Sequence, residues 1–328
     1  MVDIKVSVII PIYKVERFIK RCVVSLMEQT IDNVEYIFVN DATPDNSMQI
    51  LNETIALYPD RISQIRILHH EVNKGLPTAR NTGLALACGE YVFHCDSDDY
   101  VEVDMLENLY EEAVKREVDI VWCDWFLTYE KNERYMKQPE YFESQDALKA
   151  MLSGRMKFNV WNKLVKRSLY VNYHITFPNG YGMGEDMTMM MLFVHAKNVA
   201  YLPKAFYHYV KFNAGAFSQN YSSKHLKELQ YNVNRIVSFI RFHYGNTLDK
   251  ELAFFKLDVK FPFLISSDMK KYSLWKEWYP EANPYILKNK NISVRSRWIQ
   301  WFAWKGQFWI VKLYYVLFMK VVYGIFYK

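Results

Sequence analysis

The sequence predicts an α/β protein built on a mostly parallel sheet flanked by helices, with a helical C-terminal extension. In the first 125 residues, short apolar runs rich in β-branched residues alternate with segments whose apolar residues recur at helical spacing. Polar clusters follow three of these runs, at residues 13–16, 40–45 and 96–99. Because the carboxyl ends of parallel strands meet at one edge of a sheet, we expect these clusters to form a ligand-binding rim.

The individual elements follow in order along the chain. Strands are predicted at residues 6–11, 34–39, 65–68, 90–94 and 118–122, with helices between them at about 15–26, 46–57, 75–87 and 103–116. Residues 126–220 are predicted to contain short strands and loops, with one helix from about Glu185 to His195. Two further helices are predicted at about 226–240 and 251–266, and Pro262 is expected to bend or end the second.

The composition is that of a folded globular protein, because 51% of the 328 residues are apolar and 23% are charged. The four cysteines form no C-x-x-C pair, and three of them lie in apolar runs, which favours reduced thiols and a cytosolic compartment. The first ten residues, MVDIKVSVII, include an acid and a base and lack a cleavage-site pattern. They are therefore predicted to lead into a strand and not to form a signal peptide.

Charge is distributed unevenly along the chain. Residues 1–281 contain 33 basic and 36 acidic residues, whereas residues 282–328 contain eight basic residues and no acidic residue. The two parts are therefore expected to present different surfaces to different partners.

Three carboxylates, Asp96, Asp98 and Asp99, follow the strand predicted at 90–94. Negative charges this close repel one another unless a cation lies between them, and hard oxygen ligands suit Mg²⁺ or Mn²⁺. Such an ion would also hold a nucleotide diphosphate and stabilise it as a leaving group. The sequence contains neither a G-x-G-x-x-G after a strand nor a G-x-x-x-x-G-K-[ST], which argues against a Rossmann dinucleotide site and a P-loop.

Several motifs occur in a fixed order along the chain. They are VIIPIY at 8–13, VNDATPD at 39–45 followed by Ser47, NKGLPTARNTG at 73–83, DSDD at 96–99, WNK at 161–163 and GED at 184–186. Together they resemble the motifs of family 2 glycosyltransferases, over about residues 4–220. The resemblance implies a GT-A fold and an inverting transfer of a sugar from a nucleotide diphosphate, most often UDP.

The resemblance also implies a set of donor-binding residues. They are Pro11, Tyr13, Glu16, Asp41, Asp45, Lys74, Arg80, Asp96 and Ser97. The first three would line the base and ribose, Asp41 would contact the uracil, and Asp45 would help to hold its loop. Lys74 and Arg80 would lie near the nucleotide and diphosphate, and Asp96 near the ribose and donor sugar.

The remaining implied roles belong to the metal and to the acceptor. Asp98 would be the main metal ligand for Mn²⁺ or Mg²⁺, and His208 or Lys211 would complete the metal or diphosphate site. Asp186 would be the general base that deprotonates the acceptor hydroxyl. The residues on the acceptor side would be Trp161, Lys163 and Glu185.

The sequence departs from the family pattern at three of these places. Asn40 and Ala42 stand where the family often has Asp and Gly, and Val210 stands where relatives often have an arginine. Plainer explanations also exist for some motifs, since acids after a strand can cap a helix and acids in a first turn can meet a helix dipole. For Trp161, core packing and stacking on an acceptor sugar are equally consistent with the sequence.

The C-terminal tail, about residues 290–328, combines tryptophans with widely spaced basic residues. Trp298, Trp301 and Trp304 recur every three residues and Trp309 follows, while the longest uncharged runs have seven residues. A spanning helix needs about 20 apolar residues, so the pattern favours an interfacial helix on an anionic membrane. Packing on the catalytic domain or on a dimer partner, and a spanning helix with snorkelling lysines, are the alternatives.

Taken together, the sequence predicts a catalytic domain at 1–220 and a helical region at 221–328. The catalytic domain would consist of a donor half (1–125) and an acceptor half (126–220). The predicted activity is metal-dependent transfer of a sugar to a glycan or lipid-linked glycan in surface polysaccharide synthesis, with no nucleic-acid partner. The predicted location is the cytoplasm, peripheral to the inner face of the cell membrane. The alternatives are a nucleotidyltransferase and a non-catalytic membrane-associated scaffold.

Overall fold

The computed structural model describes residues 3–212 and 222–317 of the chain. The chain divides into two compact units. Unit 1 comprises Met1–Asp146 and Phe158–Ser238, and unit 2 comprises Ala147–Lys157 and Phe239–Lys328. The division at Ser238 differs from the boundary predicted at residue 220, because the larger part of a long helix, Ser223–Tyr244, belongs to unit 1.

Among the described residues, nine strands form one sheet, which lies in unit 1. The strands are β1 (Val6–Ile12), β2 (Val34–Asn40), β3 (Ile65–His69), β4 (Tyr91–His94), β5 (Tyr100–Val101), β6 (Ile120–Thr128), β7 (Glu133–Met136), β8 (Lys163–Lys166) and β9 (Val199–Val210). Their order in the sheet is β3-β2-β1-β4-β8-β6-β9-β5, and β7 pairs with β6.

The half of the sheet from β3 to β4 is parallel throughout, as predicted. Ile9 of β1 pairs with Ile37 of β2 on one side and with His94 of β4 on the other. All seven residues of β1 are buried, and six of them are apolar, because both faces of a parallel sheet are covered. The three loops at the carboxyl ends of β1, β2 and β4 therefore lie next to one another, as the sequence predicts.

Beyond β4 the sheet is mixed. β8 is antiparallel to both β4 and β6, whereas β9 runs parallel to β6. The prediction of only short strands in residues 126–220 is wrong for β9, which has twelve residues. The pairing of β6 with β9 shifts register around Asp124, and such an irregularity interrupts the alternation by which strands are recognised.

Twelve α-helices are present in the described residues. They are α1 (Ile19–Met27), α2 (Ser47–Ile55), α3 (Leu76–Leu86), α4 (Met105–Lys115), α5 (Ser144–Leu152), α6 (Arg167–Asn172), α7 (Thr188–His195), α8 (Ser223–Tyr244), α9 (Asp249–Lys260), α10 (Met269–Glu277), α11 (Val294–Trp304) and α12 (Phe308–Tyr314). The helix predicted from Glu185 begins as a 3₁₀ turn, Glu185–Met187, and continues as α7.

Unit 2 is helical, as predicted for the C-terminal extension. α9 ends at Lys260, and Pro262 lies in the first turn of a following 3₁₀ helix, Phe261–Leu264. Trp275 lies in the core of the unit. The tail is not one helix, because Gly306, with φ of 75°, separates α11 from α12. Residues 318–328 of the predicted tail lie outside the described residues.

Within the part of the chain that the structure describes, no helix combines the length and the hydrophobicity needed to cross a bilayer.

Candidate active site

Hydrogen bonds join the loop after β1 to the loop after β2. Asp45 accepts from the hydroxyls of Thr43 and Ser47 at 2.7 and 2.6 Å. Its second oxygen accepts from the backbone N–H of Glu16 at 3.1 Å, which ties the two loops together. Tyr13 is exposed beside this junction. The polar cluster after β2 thus fixes the conformation of the two loops at this edge of the sheet.

Asp41 is buried in the same region and fixes a third loop. Its carboxylate accepts from His70 Nδ1 at 2.7 Å and from the backbone N–H groups of Lys74 and Gly75, each at 2.8 Å. The side chain of Lys74 is exposed. A contact from Asp41 to uracil stays a prediction, whereas its bonds to the loop before α3 were not indicated by any spacing in the sequence.

The segment after β4 alternates between side chains that face inward and side chains that are partly exposed. Ser97 is buried and donates to the carbonyl oxygen of Pro11 at 2.6 Å, which fastens this segment to β1. Asp99 is also buried and accepts from the Tyr207 hydroxyl at 2.8 Å. Asp96 and Asp98 are partly exposed. The alternation therefore separates two carboxylates that can reach a ligand from one that is enclosed.

Arg80, on α3, lies at the centre of the site and is 1% exposed. Its Nη2 donates to Asp96 Oδ1 at 2.7 Å, and its Nη1 donates to Glu185 Oε1 at 2.6 Å and to Asp186 Oδ1 at 3.2 Å. The guanidinium carbon lies 5.4 Å from the ring centroid of Phe177. One guanidinium thus joins the acid after β4 to the two acids before α7.

The charges around Arg80 shift one another's protonation. Burial disfavours the guanidinium cation, but Asp96, Glu185 and Asp186 outweigh burial and raise the pKa of Arg80 above its ordinary value. Burial and the neighbouring Asp186 raise the pKa of Glu185 well above its usual range, while Arg80 acts in the opposite direction. Arg80 is therefore a fixed positive charge in the site.

The turn that carries Glu185 and Asp186 is held by residues that sequence reasoning missed. Asn232, on α8, donates to the carbonyl oxygens of Tyr181 and Met183, both at 2.9 Å. Glu228, one helical turn earlier, accepts from the Met183 backbone N–H at 3.0 Å. These two polar residues fall within an amphipathic pattern, which gives no sign that they are buried against a loop.

Gly184, directly before the two acids, has φ of 88°. A Cβ at this position would lie 3.2 Å from Leu229 Cδ1 and would adopt a backbone conformation that favours glycine. The backbone conformation at this position and the nearby Leu229 side chain therefore both favour glycine in the GED motif.

Like Glu185, the other two residues predicted on the acceptor side are buried. Trp161 is 4% exposed and stacks on Tyr207 and Tyr209, with ring centroids 4.5 and 5.2 Å apart. Lys163 is also buried, and its Nζ donates to Asn159 O at 2.7 Å and to Asn162 Oδ1 at 2.8 Å. Burial lowers the pKa of Lys163 to about 7, although Asp186 opposes this shift. The contacts of Trp161 are thus those of a side chain packed in the core.

His208 lies in a different cluster from Arg80. Its Nδ1 is 2.7 Å from Glu133 Oε1 and its Nε2 is 2.9 Å from Glu102 Oε1. The imidazole also stacks between Tyr100 and Phe126, with centroid distances of 4.2 and 4.8 Å. Both ring nitrogens already have carboxylate partners, so these contacts do not favour the predicted metal role of His208, which stays a prediction.

The carboxylates after β4 have the chemistry that a divalent cation requires. Burial, Asp98 and Asp186 raise the pKa of Asp96 to about 6 against the effect of Arg80, so the ionised carboxylate is disfavoured here and a bound cation would stabilise it. Mg²⁺ is commonly bound by one or two carboxylates together with phosphate and water. The described residues contain no cluster of three or more His, Cys, Asp or Glu side chains arranged to hold a metal by themselves.

Comparison with known proteins identifies the family. Residues 7–183 match the family model described as Glycosyl transferase family 2. The uncharacterized glycosyltransferase EpsJ of Bacillus subtilis is 35% identical over 215 residues, which cover 62% of this chain and 60% of EpsJ. The poly(ribitol-phosphate) beta-glucosyltransferase of Bacillus spizizenii is 30% identical over 213 residues, which cover 63% of this chain and 32% of that protein. The chain thus spans less than two thirds of the length of either relative.

A solved structure confirms the fold class. S. aureus TarS 1-349 in complex with UDP-GlcNAc has a TM-score of 0.70 at 20% sequence identity, with 99% of this chain and 93% of that chain covered. The family match covers strands β2 to β8, nearly all of β1, Arg80 and the acids after β4, whereas β9 lies beyond it. The chain belongs to glycosyl transferase family 2 and has the GT-A fold.

Proposed function

We propose that the protein transfers a sugar from a UDP-sugar to a hydroxyl group of a glycan or lipid-linked glycan, with inversion at the anomeric carbon. The UDP-GlcNAc in the TarS complex supports the donor class. The name of the poly(ribitol-phosphate) beta-glucosyltransferase supports a cell-surface polymer as the class of acceptor.

The observation that carries this proposal is the contact of one guanidinium with both halves of the site. Arg80 binds Asp96, which follows β4, and Asp186, which precedes α7, at 2.7 and 3.2 Å. A transferase needs the donor diphosphate and the base for the acceptor within reach of one anomeric carbon. Arg80 holds the two carboxylates within reach of one group, although they are 90 residues apart in sequence.

Asp186 is better placed than Glu185 to act as the general base. The Glu185 side chain is 9% exposed and bonds Arg80 at 2.6 Å, whereas the Asp186 side chain is 28% exposed and bonds it at 3.2 Å. A base must approach the proton that it removes, so the more exposed carboxylate is favoured. Asp186 would take the proton of the acceptor hydroxyl as its oxygen attacks the anomeric carbon, while the bond to UDP breaks on the opposite face.

On the donor side, Asp98 would be the main ligand for Mn²⁺ or Mg²⁺ at the end of β4, and Asp96 would lie near the ribose and donor sugar. The ion would supply positive charge to the diphosphate as it leaves. Arg80 adds a second, permanent positive charge behind Asp96, at 2.7 Å. The exposed Tyr13 and Glu16 would line the base and ribose, in a loop that Asp45 keeps in shape.

Two other functions make different predictions. A nucleotidyltransferase would need a basic, glycine-rich loop after its first strand, and the segment Pro11-Ile-Tyr-Lys14 contains no glycine. A non-catalytic scaffold would not need Asp98 or Asp186, and both are present. Neither alternative is favoured by a specific contact.

The test combines calorimetry with a transfer assay on the purified protein. We expect UDP or a UDP-sugar to bind in the presence of Mn²⁺, and we expect binding to be lost with a chelator or in Asp98→Ala. Asp186→Asn should keep nucleotide binding and lose transfer by at least about a hundredfold, because it removes the base and little else.

The matched control is Asp249→Asn, which neutralises a surface aspartate paired with Arg241 at 2.9 Å in unit 2. It should leave binding and transfer unchanged. Transfer that survives in Asp186→Asn would remove Asp186 as the base. Release of pyrophosphate from a nucleoside triphosphate would favour the nucleotidyltransferase, and no nucleotide binding under any condition would favour the scaffold.

A further inference from the structure

One side of α11 is apolar and exposed. Val294 and Trp298 are exposed, with Trp298 45% accessible, and Trp301 on the same side is half-buried. These positions are four and three residues apart, so they form one stripe along the helix. Ile299 and Ala303, on the opposite side, are buried in unit 2. The tryptophan stripe therefore faces away from the core of its own unit.

α12 repeats this arrangement. Trp309 is 65% exposed and Leu313, one turn later, is also exposed, whereas Val311 is fully buried. Arg295 of α11 lies with its guanidinium carbon 5.7 Å from the ring centroid of Tyr314 on α12, which places the two helices side by side. We call the exposed apolar side chains of α11 and α12, with the basic residues between them, the tryptophan surface.

The charges around the tryptophan surface are of one sign. Lys305 and Lys312 are exposed, and Lys305 Nζ lies 4.5 Å from the ring centroid of Trp304. No acidic residue follows Glu281 in the sequence, so every charged side chain on these helices is positive. Indoles with basic residues beside them match the boundary between lipid headgroups and acyl chains.

We propose that the tryptophan surface docks on an anionic lipid bilayer, with the indoles of α11 and α12 in the headgroup region. The charge pattern favours this occupant over a second copy of the chain. A two-fold contact would bring together two surfaces whose charged side chains are all positive, which is repulsive. Anionic lipid headgroups supply the complementary charge.

This inference deepens the proposed function, because a lipid-linked acceptor resides at a membrane. It rests on the proposed function only for the reason why the protein would bind a membrane. Binding to vesicles is measured without any sugar transfer. A protein that binds UDP but not vesicles would therefore overturn only the proposal of membrane docking. A protein that binds vesicles but not UDP would overturn only the proposed sugar transfer.

The experiment is sedimentation of the full-length protein with vesicles. We expect binding to phosphatidylcholine vesicles that contain phosphatidylglycerol, weak binding to phosphatidylcholine alone, and weakening with added salt. Replacing Trp298 and Trp309 by Gln should lower the partition coefficient at least about tenfold. Replacing Lys305 and Lys312 by Gln should lower it about twenty-five-fold, since each basic residue contributes about fivefold.

The matched controls lie in unit 1. Phe142→Gln removes an exposed aromatic side chain, and Lys115→Gln with Lys131→Gln removes two exposed charges. Both controls should bind like the wild type. The proposal would be overturned if the protein bound both kinds of vesicle equally, or if the tryptophan variant bound like the wild type. It would also be overturned if the wild type formed a dimer and the tryptophan variant did not.

Discussion

Arg80→Met tests whether one buried cation holds the active site together. Methionine keeps most of the apolar stem but removes the guanidinium and its contact with the Phe177 ring. Three hydrogen bonds are lost, at 2.6 Å to Glu185, 2.7 Å to Asp96 and 3.2 Å to Asp186. The carboxylates of the site then lose the guanidinium that they share.

The magnitude follows from the burial of these groups. Removing one partner of a buried ion pair costs about 3–5 kcal/mol, because the other charge stays buried and uncompensated. The side chains of Asp96 and Asp186 are 23% and 28% exposed, whereas that of Glu185 is 9% exposed, so Glu185 should carry most of the cost. We expect a loss of about 3 kcal/mol in the free energy of unfolding at about pH 8.

The loss should depend on pH. Burial and Asp186 raise the pKa of Glu185, and removing Arg80 removes the charge that lowers it. A carboxyl group whose pKa is higher in the folded than in the unfolded state takes up a proton on folding, so its contribution is present at low pH and is lost as pH rises. The variant should therefore be closest to the wild type in acid.

The assay is urea unfolding of the wild type, Arg80→Met and Arg80→Lys at about pH 6 and about pH 8. Arg80→Lys should be intermediate, because an ammonium group keeps the charge but not the planar fork. The control is Arg241→Met, which breaks an ion pair with Asp249 at 2.9 Å in which the two side chains are 48% and 37% exposed. It should cost less than about 1 kcal/mol. A stability of Arg80→Met within about 1 kcal/mol of the wild type at the higher pH would refute the central role of Arg80.

Three further predictions concern stability, and urea unfolding measures each of them. Ala42→Gly should raise the free energy of unfolding by up to about 1 kcal/mol, because Ala42 has φ of 54°, a region costly for any residue with a Cβ. An unchanged or lower value would contradict strain at this position. Gly83→Ala should lower the free energy of unfolding by about 1–3 kcal/mol, because the added Cβ would lie 2.5 Å from Ile9 Cγ2 where α3 packs on β1. An unchanged free energy of unfolding would mean that the two side chains move apart without cost. Burial lowers the pKa of Lys260 to about 7, with Glu281 opposing, so between about pH 7 and pH 9 the unfolded chain binds one proton more than the folded chain. Stability should rise with pH in that range by about 1.4 kcal/mol per unit from this group, and Lys260→Met should remove that slope.

The parallel half of the fold was predictable because its strands are short, mainly apolar runs. β1 and β2 are buried on both faces, so their sequences stand out without knowledge of their partners. β9 was not predictable as one strand, because exposed residues near Lys204 interrupt its burial and its pairing with β6 shifts register around Asp124. Which strand pairs antiparallel with β4 depends on contacts between distant segments.

The candidate site shows the same division. The motifs located Arg80, Asp96 and Asp186, but their spacing did not reveal that the arginine bonds both acids. Asp41 and Ser97 were expected at the donor, and the structure gives each a bond to a neighbouring loop or strand. A motif identifies residue types that a ligand or a loop can use equally well, and only their surroundings distinguish the two.

By itself, the sequence determined the fold class, the rim where three polar loops meet, and the basic, tryptophan-rich character of the tail. These properties reside in local order along the chain: runs of buried residues, turn-forming clusters and the sign of charge. The tertiary structure alone decided which carboxylates face Arg80, which turn inward, and which side of α11 remains exposed. Those outcomes depend on residues far apart in sequence, because burial and hydrogen bonding are properties of the packed chain.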